Sequence, residues 1–301
     1  MEEPNQTGPE LLSVVIPTFN SADTLNYTLS SLLSNDLQRD HYEVILIDGG
    51  STDNTLGLCR RFPVEVLFCP KKGWSAALNL GVKKARGDIV CITNADVIVP
   101  SDWLRKIWEF FRNNPHVEGV GGPIVAPRLC RNRIQRFAAD IFVEDQGFPA
   151  KLTRSQYMKM WSGGLISGPN YAYRRETLLH SGGFNESLMS YSDVDLCWRL
   201  VKMGKHLVFN PEIKIIDIGS PSTLSGVFKQ QFKWGKGRGE LMKIHRADKV
   251  TDDLKVEIVS SIQVLRTALL LLTPTVFPKT KQLLRCINSV SFQLGRIYGR
   301  T

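Results

Sequence analysis

Pro17-Thr18-Phe19-Asn20, Asp48-Gly49-Gly50-Ser51-Thr52-Asp53 and Asn94-Ala95-Asp96 are three polar clusters, each ending an apolar run. Their residue types suit hydrogen bonding and the binding of hard cations. A carboxylate such as Asp48 accepts from a nucleobase N–H. One such as Asp96 ligates Mg²⁺ together with substrate phosphates, and the ion then neutralises charge on a departing diphosphate. GxGxxG and GxxxxGK[ST] are absent from all three ends, which argues against a dinucleotide dehydrogenase and a P-loop NTPase. Further along, Ser192-Asp193-Val194-Asp195 sets two carboxylates in the first turn of an expected helix, where acids are stabilising in any case. Gln230-Gln231-Phe232-Lys233-Trp234 continues into Gly235-Lys236-Gly237-Arg238-Gly239, which reads as a basic loop suited to close over a diphosphate.

The elements that must position these clusters are legible from periodicity. Leu12–Phe19 is a near-continuous apolar run, as in a parallel strand buried on both faces. Glu43–Ile47, Val64–Phe68 and Asp88–Thr93 read as three more strands. Ser21 is placed to cap a helix carrying Leu25, Leu29 and Leu32, and Asp53 stands near the next helix start. Ser75–Ala85 reads as a helix with Leu78, Val82 and Ala85 on one face. Strands alternating with helices make a parallel sheet, whose ligands bind outside the strands' carboxyl ends. All three clusters lie there.

After residue 100 the regularity weakens. Asp102–Arg112 and Asp193–Gly204 read as helices, Gly119–Pro127 as a turn and short strand, and Lys205–Ile218 as strand-like. Arg128–Arg175 holds nine basic and three acidic residues with several aromatics, a composition suited to a surface that grips a ligand. Tyr157, Trp161, Tyr171 and Tyr173 fit a core or a sugar-stacking role equally.

Charge and cysteine usage narrow the classes. The 301 residues are 43% hydrophobic and 22% charged, ordinary globular usage. The net charge of +9 is matched by Gly226–Thr301 alone, which has 14 basic and 5 acidic residues, so the first 225 are balanced. That distribution argues against a nucleic-acid coat. The six cysteines are scattered without a CxxC pair, as expected in a reducing compartment without structural zinc. Leu254, Ile258, Ile262, Leu265 and Leu269 form an apolar stripe opposite Lys255, Ser261, Gln263 and Arg266, the pattern of an interfacial helix. Ile258–Phe277 is interrupted by Arg266 and Pro274, which weakens a transmembrane reading.

VVIPTFNSADTL, LIDGGSTDNT, GWSAALNLGVKKARGDIVCITNAD and SGGFNESLMSYSDVDLCWRLVKMG, in this order, resemble the family 2 glycosyltransferases of GT-A fold. The resemblance runs from about Ser13 to Gly239. It implies that Pro17, Thr18 and Asn20 line a nucleoside pocket, that Asp48 binds a uracil-type base, and that Asn79 lies near the sugar-diphosphate. Asn94-Ala95-Asp96 stands at the family's DxD metal motif, with Asn for the first Asp. Asp217 stands where members often place a metal-binding His, and it restores the charge lost at Asn94. The resemblance makes Asp193 the catalytic base, with Ser192 replacing the family's Glu. Gln230, Lys233, Trp234 and Arg238 resemble the QxxRW motif and the QxxxxGxGR segment, and lean towards a non-processive enzyme.

The expected architecture is α/β, a GT-A domain with a mainly parallel sheet and helices on both faces, plus a C-terminal helical extension. Residues 1–11 form a tail, 12–100 a nucleotide-binding half, 101–245 an acceptor half and 246–301 an amphipathic, membrane-contacting segment. The expected activity is inverting transfer of one sugar from a UDP-sugar to a glycan or lipid-linked acceptor, with Mg²⁺ or Mn²⁺. Its expected place is cytoplasmic, peripheral at the inner face of the cell membrane. Two alternatives stay open: an inactive sugar-nucleotide-binding module, which Asn94 and Ser192 permit, and a processive polysaccharide synthase.

Overall fold

The computed structural model of the chain describes residues 11–146, 166 and 168–245, and positions 290, 291, 294, 296 and 298. Tyr157, Trp161, Cys286, the Leu254–Leu269 stripe and the Ile258–Phe277 run lie outside the described residues. The chain forms two compact units. The first comprises Met1–Pro127, Val143–Ser187 and Ser192–Gly219; the second comprises Arg128–Phe142, Leu188–Tyr191 and Ser220–Thr301.

The first unit is built on a seven-stranded sheet of order β3-β2-β1-β4-β8-β6-β9. These strands are β1 (Leu12–Thr18), β2 (Tyr42–Asp48), β3 (Glu65–Phe68), β4 (Ile89–Ile92), β6 (Gly119–Gly121), β8 (Tyr171–Arg174) and β9 (Leu207–Phe209). β1 lies between β2 and β4 and is parallel to both. Its seven residues are all buried, which explains the unbroken apolar run. β3 pairs only with β2 in this order, and Val66 and Phe68 are exposed on it, as befits an edge. β8 is antiparallel to β4 and β6, so the sheet is mixed. A second sheet, β5-β10-β7, comprises β5 (Val97–Ile98), β10 (Ile215–Asp217) and β7 (Ile124–Val125). The strand-like reading of Lys205–Ile218 thus resolves into β9 and β10.

The helices follow the apolar spacing. α1 (Leu25–Leu33) buries Leu25, Leu29 and Leu32. It begins at Leu25, with no side-chain cap; Ser21 instead accepts the Leu25 N–H through its carbonyl at 2.9 Å, so the expected Ser21 cap is corrected to a backbone turn. α2 (Thr55–Cys59) is short, and α3 (Trp74–Lys84) buries Ala77, Leu78 and Val82 against the sheet. α4 (Trp103–Asn113), α5 (Arg133–Gln146), α6 (Arg175–His180) and α7 (Ser192–Lys202) follow. Tyr171 and Tyr173 are each 1% exposed and pack edge to face, so both belong to the core and neither stacks on a sugar.

The second unit contains α8 (Leu224–Ile244), capped by Thr223, whose side chain accepts the Gly226 N–H. This corrects the loop expected at Gly235–Gly239, because those residues are helical and Gly235, Gly237 and Gly239 are buried. The glycines serve close packing. A Cβ on Gly237 would lie 1.8 Å from Ser190 Oγ.

Candidate active site

The carboxyl ends of β1 and β2 are tied into one surface by hydrogen bonds. Thr18 and Asp48 are register partners, and the Gly49 N–H donates to the Thr18 carbonyl at 2.9 Å. Asp48 is 2% exposed, and its Oδ2 accepts from the Gly50 and Ser51 N–H groups at 2.9 and 3.0 Å. Its carboxylate therefore shapes the turn, with lone pairs left for a further donor. Asn20 adopts φ 49, a left-handed conformation that Asn tolerates well. From there its N–H donates to Ser51 Oγ at 2.8 Å and its Oδ1 accepts the Thr52 N–H at 2.8 Å.

Asp53 accepts from the Ala22 and Thr55 N–H groups at 3.1 and 3.0 Å. The Thr55 hydroxyl holds its carboxyl below the ordinary value, so Asp53 works as a brace for α2. Thr18 Oγ1 is buried without a hydrogen-bond partner.

Two aromatic rings flank this turn and were missed from the sequence. Phe19 is 61% and Phe68 65% exposed. A Cβ on Gly49 would lie 3.8 Å from the Phe19 ring, and one on Gly50 would lie 3.8 Å from the Phe68 ring. Exposed flat rings beside a buried carboxylate are suited to stacking a base. The available signal was an aromatic ending each of two strands; both were absorbed into the apolar runs.

At the end of β4, Asn94 Oδ1 and Asp96 Oδ1 are both sealed from solvent without a hydrogen-bond partner. Burial raises the Asp96 carboxyl above the usual carboxylate range, against hydrogen bonds from its own backbone and the Asn94 side chain. β10 lies alongside: the Ile218 N–H donates to the Asp96 carbonyl at 2.9 Å, and Asp217 pairs with Val97. Asp217 is 7% exposed, and its Oδ1 accepts the Gly219 N–H at 3.1 Å. Glycine is needed at 219, because a Cβ there would lie 1.9 Å from Asp96 Oδ2.

Two orphaned oxygens on neighbouring strand-end residues fit a hard cation. Among the described residues no group of three or more His, Cys, Asp or Glu is placed to hold one alone. That donor set suits an ion completed by substrate phosphates.

α7 positions the third carboxylate. Asp193 is half-buried in its first turn; Oδ2 accepts the Gly168 N–H at 2.7 Å and Oδ1 accepts the Val194 N–H at 2.9 Å. Burial nevertheless raises its carboxyl above the ordinary value, outweighing these donors. A carboxylate fixed in direction with a raised proton affinity is equipped to act as a base. Burial and the Asp193 charge hold the nearby Tyr171 hydroxyl protonated. The Tyr171 and Ser192 hydroxyls are buried without partners. Asp195 is 1% exposed and pairs with Arg199 at 2.8 Å, a scaffold contact.

Asn79 ties the approach to α7 to α3. Its Nδ2 donates to the Phe184 carbonyl and Glu186 Oε1, and its Oδ1 accepts the Phe184 N–H at 2.8 Å. In the second unit, Gln230, Trp234 and Arg238 follow one another at four-residue spacing along one face of α8. Lys233 is exposed, and its carbonyl accepts from Ser190 Oγ at 3.2 Å.

With this geometry described, likeness to known proteins decides the family. The model described as "Glycosyl transferase family 2" matches residues 13–180, more than half of the chain. The chain belongs to glycosyltransferase family 2. The match covers the three strand-end clusters, whereas Asp193, Asp217 and α8 lie beyond it. Among curated relatives, the poly-beta-1,6-N-acetyl-D-glucosamine synthase of Staphylococcus aureus (strain MSSA476) is 27% identical over 238 residues, 77% of this chain. The Staphylococcus epidermidis synthase is 27% identical over 240 residues. The chain spans 56% of the length of these relatives.

Among solved structures, the mannosyltransferase PcManGT from Pyrobaculum calidifontis, in complex with GDP-Man and Mn²⁺, has a TM-score of 0.65 at 18% identity. The match covers 99% of this chain and 89% of that one. S. aureus TarS 1-349, in complex with UDP-GlcNAc, has a TM-score of 0.55 at 15% identity, covering 95% and 90%. The fold is thus GT-A, mixed α/β with a mainly parallel central sheet.

Proposed function

We propose that this family 2 chain transfers a single sugar from a nucleotide-sugar donor, a UDP-sugar, to a hydroxyl of a glycan or lipid-linked acceptor, with inversion at the anomeric carbon. The observation that carries the reading is the half-buried Asp193 carboxylate, held by two backbone N–H groups and raised in proton affinity by burial. An inverting transfer needs one group of this kind. Asp193 takes the acceptor's proton as the acceptor oxygen attacks the anomeric carbon and the bond from that carbon to the diphosphate breaks.

Other residues bind and orient the donor. Asp48 accepts from the base, Phe19 and Phe68 stack on it, and Thr18 and Asn20 line the nucleoside side beside Pro17. Asn94, Asp96 and Asp217 would hold Mg²⁺ or Mn²⁺ through oxygen ligands. A bound ion there supplies charge neutralisation on the diphosphate leaving group. α8 of the second unit carries Gln230, Lys233, Trp234 and Arg238, the residues that the family resemblance links to the acceptor and diphosphate. Among the described residues no helix is long and apolar enough to cross a membrane. For a lipid-linked acceptor, the basic C-terminal part supplies contact with the inner face of the cell membrane.

The test is turnover of Asp193→Asn, with nucleotide release followed in the presence of donor and acceptor. Loss of about 10²–10⁴-fold in rate with unchanged UDP affinity is the expected result. Normal turnover would remove Asp193 as the base.

A further inference from the structure

Tyr171 and Ser192 each bury a hydroxyl that the fold does not use. Both residues are 1% exposed, and among the described residues neither oxygen has a hydrogen-bond partner. A buried polar group without a partner is costly, and its removal is neutral or stabilising. The Tyr171 ring packs on Tyr173 and Phe184 with centroids 5.7 and 6.4 Å apart, contacts that a Phe ring would make equally. Packing therefore accounts for the ring and leaves the hydroxyl unexplained.

Both hydroxyls belong to the surroundings of Asp193. Tyr171 opens β8 three residues after Gly168, whose N–H donates to Asp193 Oδ2 at 2.7 Å. Ser192 precedes Asp193 in the first turn of α7. One turn further on, Leu196 and Cys197 are buried in the same core cluster as Tyr171, so the face of α7 that carries Ser192 and Asp193 packs against that cluster. Tyr171 also lies within electrostatic reach of the Asp193 charge. The other titratable groups facing this place are Tyr173 on β8 and Cys197 and Arg199 on α7, with Arg199 paired to Asp195 at 2.8 Å. A hydroxyl fixed by a bond points its proton one way, whereas one without a bond turns to suit the charge nearby. In a low-dielectric interior such a dipole acts on a charge without touching it.

We propose that Tyr171 and Ser192 are positioning residues for Asp193: their unbonded hydroxyls turn their protons towards the ionised carboxylate and keep it available as the base. The inference rests on the reading of Asp193 as that base. No proton passes through either hydroxyl; the acceptor's proton ends on Asp193.

The test is the pH–rate profile of Tyr171→Phe and Ser192→Ala beside wild type, Asp193→Asn and Tyr42→Phe, with the melting temperature of each. Without the hydroxyl dipole the carboxylate holds its proton more tightly. Tyr171→Phe should therefore lose about fivefold in rate on the acidic limb and keep the wild-type rate on the plateau. Ser192→Ala should shift the limb in the same direction. Both should melt at or above the wild-type temperature, because each removes an unpaired buried group. Tyr42→Phe, which alters a buried tyrosine at the opposite end of β2 from Asp48, should leave the profile unchanged. An unmoved limb in both hydroxyl variants overturns the proposal. So does a rate loss equal at every pH with a lower melting temperature, which marks a packing role. Either result leaves the base standing where Asp193→Asn loses turnover; normal turnover of Asp193→Asn removes the base and this inference together.

Discussion

As the proposed base, Asp193 would act only while ionised, and burial sets the pH at which that holds. Its carboxyl lies above the ordinary aspartate value of about 3.9, so the base is lost as pH falls through this raised value. The acidic limb of the pH–rate profile is expected above the range of an ordinary aspartate and to vanish in the residual rate of Asp193→Asn. A limb at or below the ordinary value would contradict the role of burial. The residue scale was also the most legible in the sequence where strands end. Asp48, Asn94 and Asp96 stand out as polar groups breaking apolar runs. Three things were not legible. The Asn20–Ser51–Thr52 bonds join residues about thirty positions apart. The Phe19 and Phe68 rings look like core residues until the turn exposes them. The Asn79 amide bonds to Phe184 and Glu186 join residues more than a hundred positions apart.

At the element scale, a buried carboxylate fastens the strands at the end away from the site. Glu43 on β2 is 7% exposed and accepts from Ser13 Oγ on β1 at 2.6 Å and from Arg86 N and Nε at 2.7 and 2.8 Å. Burial raises its carboxyl, but the bonds from Ser13 and Arg86 outweigh burial and leave it lowered. The stability it contributes is therefore present above the unfolded-state value and lost as pH falls through the folded one. Glu43→Gln should cost about 1–3 kcal/mol at neutral pH in denaturant unfolding, with the difference shrinking in acid. A constant difference across pH would contradict the assignment.

Gly237 tests the corrected element. In a solvent loop Gly237→Ala would be neutral, and in an unpacked helix it would stabilise by about 1 kcal/mol. Against Ser190 it should instead lower the melting temperature. β1 and β2 were readable because they are buried on both faces, and α1, α3 and α4 because each buries one continuous face. Gly235–Gly239 misled because alternating glycine reads as flexibility. Its use here, close approach to a neighbouring segment, depends on a contact 47 residues back in the chain.

At the scale of the whole molecule, a mainly parallel sheet leaves the carboxyl ends of its strands open to ligands, and the chain shares the GT-A fold of known structures. The distribution of charge along the sequence separates a balanced sheet unit from a basic C-terminal part, because net charge adds residue by residue. It does not place Lys229, Lys233 and Lys236 on one face of α8, which depends on helical phase. A ligand that binds only the folded chain should also raise its melting temperature, by the equivalent of about 2.7 kcal/mol at a hundredfold excess over Kd. For the correct nucleotide this rise should require Mn²⁺.

The most direct measurement is calorimetric titration of wild type, Asp96→Ala and Asp193→Asn with UDP and with GDP, each with Mn²⁺ and with EDTA. The account expects metal-dependent binding of UDP to wild type, retained in Asp193→Asn and weakened at least about tenfold in Asp96→Ala, the equivalent of about 1.4 kcal/mol. Binding that ignores Mn²⁺, or that Asp96→Ala leaves intact, would contradict a metal-bridged donor site. Absence of binding by either nucleotide would contradict the transferase reading itself.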